Sequence, residues 1–227
     1  MFLIATTLLT HAQVTVFATG LNNPRGIKFG PDGFLYVAEG GLGGSLSTIG
    51  QCDQVIAPVG PYTGDFTARI SKISPSGTRL TVAEHLPSSQ TSPALGSLIS
   101  GVADVAFVGN TLYALLAGAG FSHGLLGTTN GIIKVNSNRT WTLIADLSAF
   151  QKAHPVKNPE PDDFEPDGTW YSMLTAKGLL YAVEPNHGEL DYVTTGGTIT
   201  RLIDISTVRG ISSPVPSPIG IACSSET

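Results

Sequence analysis

Phe34-Leu35-Tyr36-Val37-Ala38-Glu39 returns as Thr111-Leu112-Tyr113-Ala114-Leu115-Leu116, and again as Leu179-Leu180-Tyr181-Ala182-Val183-Glu184. A tight-turn sequence precedes each copy: Pro31-Asp32-Gly33, Gly109-Asn110 and Lys177-Gly178. Upstream of each turn lies another short apolar segment, at 26–29, 102–107 and 170–174. Downstream come alternating segments at 69–73, 131–135 and 189–193, each leading through a polar turn into a fourth at 78–86, 140–147 and 198–205. The unit is four short strands joined by turns. Its outer strands alternate with a period of two, and its inner strands are more uniformly apolar, as strands covered on both faces are.

The third strand recurs about every 60 residues, against roughly 40–50 for a bare four-stranded blade, so each unit carries a loop insertion. Four-stranded units repeated in this way are blades of a β-propeller, whereas a β-sandwich has no reason to repeat one Leu-Tyr signature. The expected fold class is all-β, with complete blades at about 26–86, 102–147 and 168–205 and the start of a fourth at 218, all within residues 14–227. Residues 14–21 read as a fourth strand lacking its own first three. Propellers need about four to eight blades to protect their edges. Three blades therefore predict either a truncated chain or a homodimer in which two half-rings complete one propeller.

The composition agrees. In 227 residues, 27 Gly and 15 Pro supply turns, and 13% charged residues are too few for a coiled coil. Lys and Arg number 12 against 17 Asp and Glu, a net charge of −5 without any basic run, which sets nucleic acid aside as a partner. No apolar run reaches the roughly 18 residues that a membrane-spanning helix requires. Residues 1–13 are apolar and then polar, the outline of a secretory signal peptide without its basic start, so a secreted, periplasmic or extracellular protein is expected. A disulfide between Cys52 and Cys223 and two unpaired thiols are both compatible with that setting, while two cysteines alone make no zinc site. Asn138-Arg139-Thr140 matches a glycosylation acceptor within a predicted tight turn.

The segment Leu21-Asn22-Asn23-Pro24-Arg25-Gly26-Ile27-Lys28-Phe29, continuing to Glu39, resembles the opening blade of NHL-like and gluconolactonase-like six-bladed propellers. Taken with residues 63–73, 118–124, 165–168 and 184–189, the pattern resembles the ScyD/ScyE family of exported bacterial propellers and extends over 14–205. The resemblance implies a six-bladed ring, export, and a binding or scaffold role with no assigned ligand. Its gluconolactonase-like side implies an alternative, a metal-dependent lactonase or lyase. In that alternative Glu39, Glu184 and Asn186 hold a divalent cation such as calcium near the axis, and His187 is the candidate catalytic base.

In a propeller the loops between second and third strands, together with those between blades, form the face where ligands bind. The residues expected there are Asn23, Arg25, Glu39, His123, Glu184, Asn186 and His187, facing a small molecule or a protein partner. Glu39 and Glu184 stand at equivalent repeat positions, and the competing reading makes both acceptors for backbone amides of neighbouring loops. His123 lies in a glycine-rich loop that suits either close ligand approach or a structural turn. Ser122 and His123 are set aside as a catalytic pair, because adjacent residues rarely face each other, although Gly120-Phe121-Ser122-His123-Gly124 has the Gly-x-Ser-x-Gly spacing. The acidic run 159–167 is expected to be a solvated connector rather than a calcium loop, and 146–154 a short helix stopped by Pro155.

Overall fold

Alternating strands joined by tight turns pair with their sequence neighbours, and the resulting sheets here are antiparallel meanders. The computed structural model describes residues 14–159 and 165–206. The expected signal peptide at 1–13, the fourth blade from 218, Cys223, and residues 160–164 of the acidic run lie outside the described residues.

The first sheet comprises β1 (Pro24–Phe29), β2 (Leu35–Glu39), β3 (Thr63–Ile73), β4 (Arg79–Gln90) and the two-residue β5 (Ile99–Ser100). The second holds β6 (Val102–Val108), β7 (Thr111–Leu116), β8 (Gly131–Val135) and β9 (Trp141–Asp146). The third holds β10 (Ser172–Ala176), β11 (Leu179–Glu184), β12 (Glu189–Val193) and β13 (Ile199–Asp204). Each is a propeller blade, with strands in sequence order. The three Leu-Tyr repeats occupy the second strand of each blade, β2, β7 and β11.

Two sequence expectations change. The first sheet has five strands, because β4 runs on to Gln90 and its extension pairs with Ile99–Ser100. Residues 14–21, expected as a fourth strand without its own first three, join no strand ladder among the described residues. The expected helix is α1 (Leu147–Ala153), capped by the Asp146 carboxylate, which accepts from Ala149 N at 2.8 Å.

The blades stack through their faces, with β6 lying against β1 and β2 on one side and β10 on the other. One apolar cluster joins Ala38, Ile70 and Leu86 of blade 1 to Val105, Leu116 and Ile133 of blade 2. The other joins Ala106, Leu115 and Ile132 of blade 2 to Met173, Leu180 and Val193 of blade 3. Ile132 and Ile133 are consecutive and both 0% exposed, each facing a different core. Replacing either by alanine should lower unfolding free energy by about 2–4 kcal/mol in denaturant titrations. The two losses should add in the double variant, because the side chains lie on opposite faces of one strand. Leu174→Ala, at a position 54% exposed, should cost under about 1 kcal/mol.

Candidate functional site

The turns between first and second strands are short, but the connections at the other end of the blades are long. That end carries the expected site face. β2 delivers Glu39 and β11 delivers Glu184 to it, both with 0% exposure.

Each buried carboxylate is matched by donors. Glu39 Oε2 accepts from Asn22 N at 2.5 Å and pairs with Arg69 at 2.8 Å, and the Ser71 hydroxyl donates to Oε1. Glu184 Oε1 accepts from Thr169 N at 2.9 Å, and Oε2 accepts from His187 N at 2.6 Å. Each of these four carboxylate oxygens already accepts at least one N–H or O–H donor. Backbone amides of Asn22, Thr169 and His187 are among these donors, as the amide-acceptor reading has it. Among the described residues no group of three or more His, Cys, Asp and Glu side chains is arranged to hold a metal ion.

His187, expected as a base, folds back on its own turn. Its Nδ1 lies 3.3 Å from Glu184 Oε2, and the residue is 4% exposed. It does not line the cleft described below.

Asn23, Arg25 and Asn186 do come together. They line a cleft of about 510 Å³ with Tyr62, Glu165 and Trp170, next to the first strands of blades 1 and 2. Asn23 donates to Gly41 O at 2.8 Å, and the Arg25 guanidinium donates to Ile99 O, so both heads are anchored to backbone. Behind the wall sits His123, fully buried, its Nε2 3.3 Å from Thr169 Oγ1 and 3.6 Å from Glu165 Oε2. Tyr62 meets the His123 ring edge-on at 4.8 Å and donates its hydroxyl to Glu165 Oε1 at 2.6 Å.

Sequence reasoning missed Tyr62, Thr169 and Trp170, and brought the loop that carries Glu165 to this face without giving it a role. Glu165 and Asp167, from a stretch expected to be a solvated connector, are 2% and 3% exposed. Blade 2 anchors this stretch: Asn130 donates to Gly168 O at 2.7 Å, and Ser148 Oγ to Asp167 O at 2.6 Å. Burial pushes the Asp167 carboxyl up, but the Lys152 ammonium and the Ser122 hydroxyl outweigh it and hold the group below its usual range. Trp170, expected in a strand, precedes β10 and is wholly buried. The signal for these residues was the Glu165-Pro166-Asp167-Gly168 motif, whose glycine takes a left-handed φ of 68°.

Beside this face, between blades 2 and 3, β12 carries a second buried acidic group. Gln151 of α1 donates to Glu189 Oε1 at 2.6 Å, and Arg201 Nε to Oε2 at 2.7 Å. Asp191 accepts no hydrogen bond at either oxygen, and Arg201 Nε stands 3.9 Å away. Burial first, and the Glu189 carboxylate second, push Asp191 up to about 7.

No protein-family model and no curated protein matches the chain. Among solved structures, virginiamycin B lyase from Staphylococcus aureus aligns over 79% of this chain and 40% of its own, with 17% identity and a TM-score of 0.40. A catalytically inactive form of that lyase, solved with quinupristin, aligns over 85% and 42%, with 17% identity and a TM-score of 0.39. PQQ-bound aldose sugar dehydrogenase from Streptomyces coelicolor aligns over 84% of both chains, with 13% identity and a TM-score of 0.27. The chain thus spans about two fifths of the lyase chains it matches. At such scores the likenesses carry no argument about the site.

Two outcomes follow from the buried carboxylates. Glu184→Ala strands the Thr169 and His187 amides, and should cost about 1–3 kcal/mol for each unmatched N–H in denaturant titrations. The Asp191 proton is held in the folded chain and lost from the unfolded one between about pH 4 and pH 7. Stability present at low pH should therefore fall across that window, with a limiting slope of about 1.4 kcal/mol per pH unit. Asp191→Asn should flatten this slope in melts taken from pH 4 to 8.

Proposed function

We propose that this is an exported, ligand-binding β-propeller protein of the ScyD/ScyE type, and that its loop-face cleft takes a small polar molecule. One observation carries the reading. The roughly 510 Å³ cleft is of small-ligand size, and polar side chains from blades 1 and 3 meet in its lining, among them Asn23, Arg25 and Asn186. The Arg25 guanidinium and the Asn23 and Asn186 amides add an anion-compatible polar rim. The ligand class that fits is a small acid that also carries O–H or N–H donors, such as a hydroxy acid or an amino acid. The lactonase alternative finds no support in the Glu39 and Glu184 donor sets.

The test is a thermal-shift and tryptophan-fluorescence screen against hydroxy acids, amino acids and their uncharged amides. Binding of an acid should raise the melting temperature and perturb Trp170 emission. Arg25→Ala should weaken that binding at least about tenfold with little loss of stability, since Arg25 is exposed. Equal binding of acids and amides, or an unaffected Arg25→Ala variant, would sink the proposal.

A further inference from the structure

Each blade turns one face to the blade before it and the other to the blade after it. Tyr36, Ala38 and Ile70 of blade 1 look toward blade 2, and Tyr113, Leu115 and Ile132 of blade 2 look toward blade 3. The strand registers put Tyr181, Val183 and Leu190 of blade 3 in the same places, since Val183 pairs with Leu190 as Ala38 does with Ile70 and Leu115 with Ile132. Ala38, Ile70, Leu115 and Ile132 are 0% exposed, whereas Val183 is 38% exposed and Leu190 is partly buried. Leu174 lies across from Tyr181 and Ile203 across from Leu190, and they are 54% and 45% exposed. No charged residue stands on this face of β10, β11 and β12. Its composition is that of a face covered by another layer.

In the first two blades the covering element is the first strand of the next blade: β6 lies against β1 and β2, and β10 against β6. Val105 of β6 and Met173 of β10 hold equivalent places, opposite Ala114 and Ala182, and each enters the core against the preceding blade. Two residues after Val105, Phe107 meets the Tyr36 ring edge-on at 4.9 Å. Outside the described residues, Pro218-Ile219-Gly220-Ile221 repeats the Pro24-Arg25-Gly26-Ile27 of β1. In that register Ile221 takes the place of Ile27, Val105 and Met173, and Cys223 takes that of Phe29 and Phe107. The connection from β13 to Pro218 is comparable in length to the one from β4 to β6. Residues 210–225 carry no charge, which suits an uncharged face. A second copy would have to bring its blade 1 here instead. Residues 17–20 already cross that side of blade 1, where Arg69 donates to Gly20 O at 2.5 Å and the Phe17 carbonyl lies against Gly77.

We infer that the open face of blade 3 is the docking surface for residues 218–223 of the same chain, with Ile221 set against Val183 and Leu190, and Cys223 beside Tyr181. The segment then does for blade 3 what β6 does for blade 1 and β10 for blade 2. In that place Cys223 serves as a small hydrophobe against an aromatic ring. Cys52 belongs to the connection between β2 and β3, two blades away.

The experiment is oxidative cross-linking of the full chain, with Cys52→Ser removing the other thiol. Tyr181→Cys should then form a disulfide with Cys223 inside one chain, read as a faster band on a non-reducing gel and as a linked peptide pair by mass spectrometry. With Arg139→Cys on a turn of blade 2 in its stead, the linked fraction should be at least about fivefold lower. Ile221→Asp, which sets a charge on the apolar face, should lower linking through Tyr181→Cys to a similar extent and the melting temperature by roughly 4 °C or more. Ser212→Asp, in the connection, should change neither. No link to Cys223, an equal link from Arg139→Cys, or full linking in the Ile221→Asp chain would overturn the proposal. Links formed only between chains would overturn it too, and would give the face to a second copy.

Discussion

A β-sheet has two faces, and the second blade of this protein buries both. Side chains alternate along each of its strands, so consecutive residues such as Ile132 and Ile133 enter separate cores. That requirement explains why its strands β7 and β8 are apolar almost throughout, and why the flanking sheets stack face to face on either side. Blade 2 is the layer to which the other two are fastened. The Leu-Tyr segment traces this stacking in β2 and β7, where Tyr36 packs toward blade 2 and Tyr113 toward blade 3.

Stacking has a polar consequence at the strand ends. Loops that cross between blades bring backbone amides into places that water does not reach, and each amide needs an acceptor. Glu39 and Glu184 supply them, and Asp104 and Asp167 do the same: Asp104 accepts from Met173 N at 2.9 Å, and Asp167 from Ser122 N at 2.7 Å. These carboxylates tie loops and blades to one another. Asp191 is the exception, a buried acid that accepts no hydrogen bond, and burial with the Glu189 carboxylate pushes it up to about 7.

The two ends of the blades divide the chemistry. One end carries long connections, which fold inward and leave a cleft lined by polar side chains from blades 1 and 3. The other end carries tight turns, whose backbone is nearly fixed, so that only side chains vary from blade to blade. On that end the difference between Gly77, Arg139 and Gly197 is visible as a departure from an otherwise identical turn.

The sequence by itself determined the strand content, the order of the strands within each blade, and the short helix stopped by Pro155, because periodicity, turns and caps act over a few residues. It also put Asn23, Arg25 and Asn186 at one end of the blades, where they line one cleft, since loops at one end of a repeat share a face. Tertiary structure alone decided that Glu39 and Glu184 meet amides, that His187 turns back on Glu184, and that Glu165 and Trp170 line the cleft. An acidic, proline-rich stretch looks solvated when read locally. The burial of Glu165 and Asp167 at its end depends on Asn130 and Ser148, distant in sequence, which take up the backbone carbonyls of Asp167 and Gly168. Partners of a buried polar group are set by packing between blades, and no local pattern encodes them.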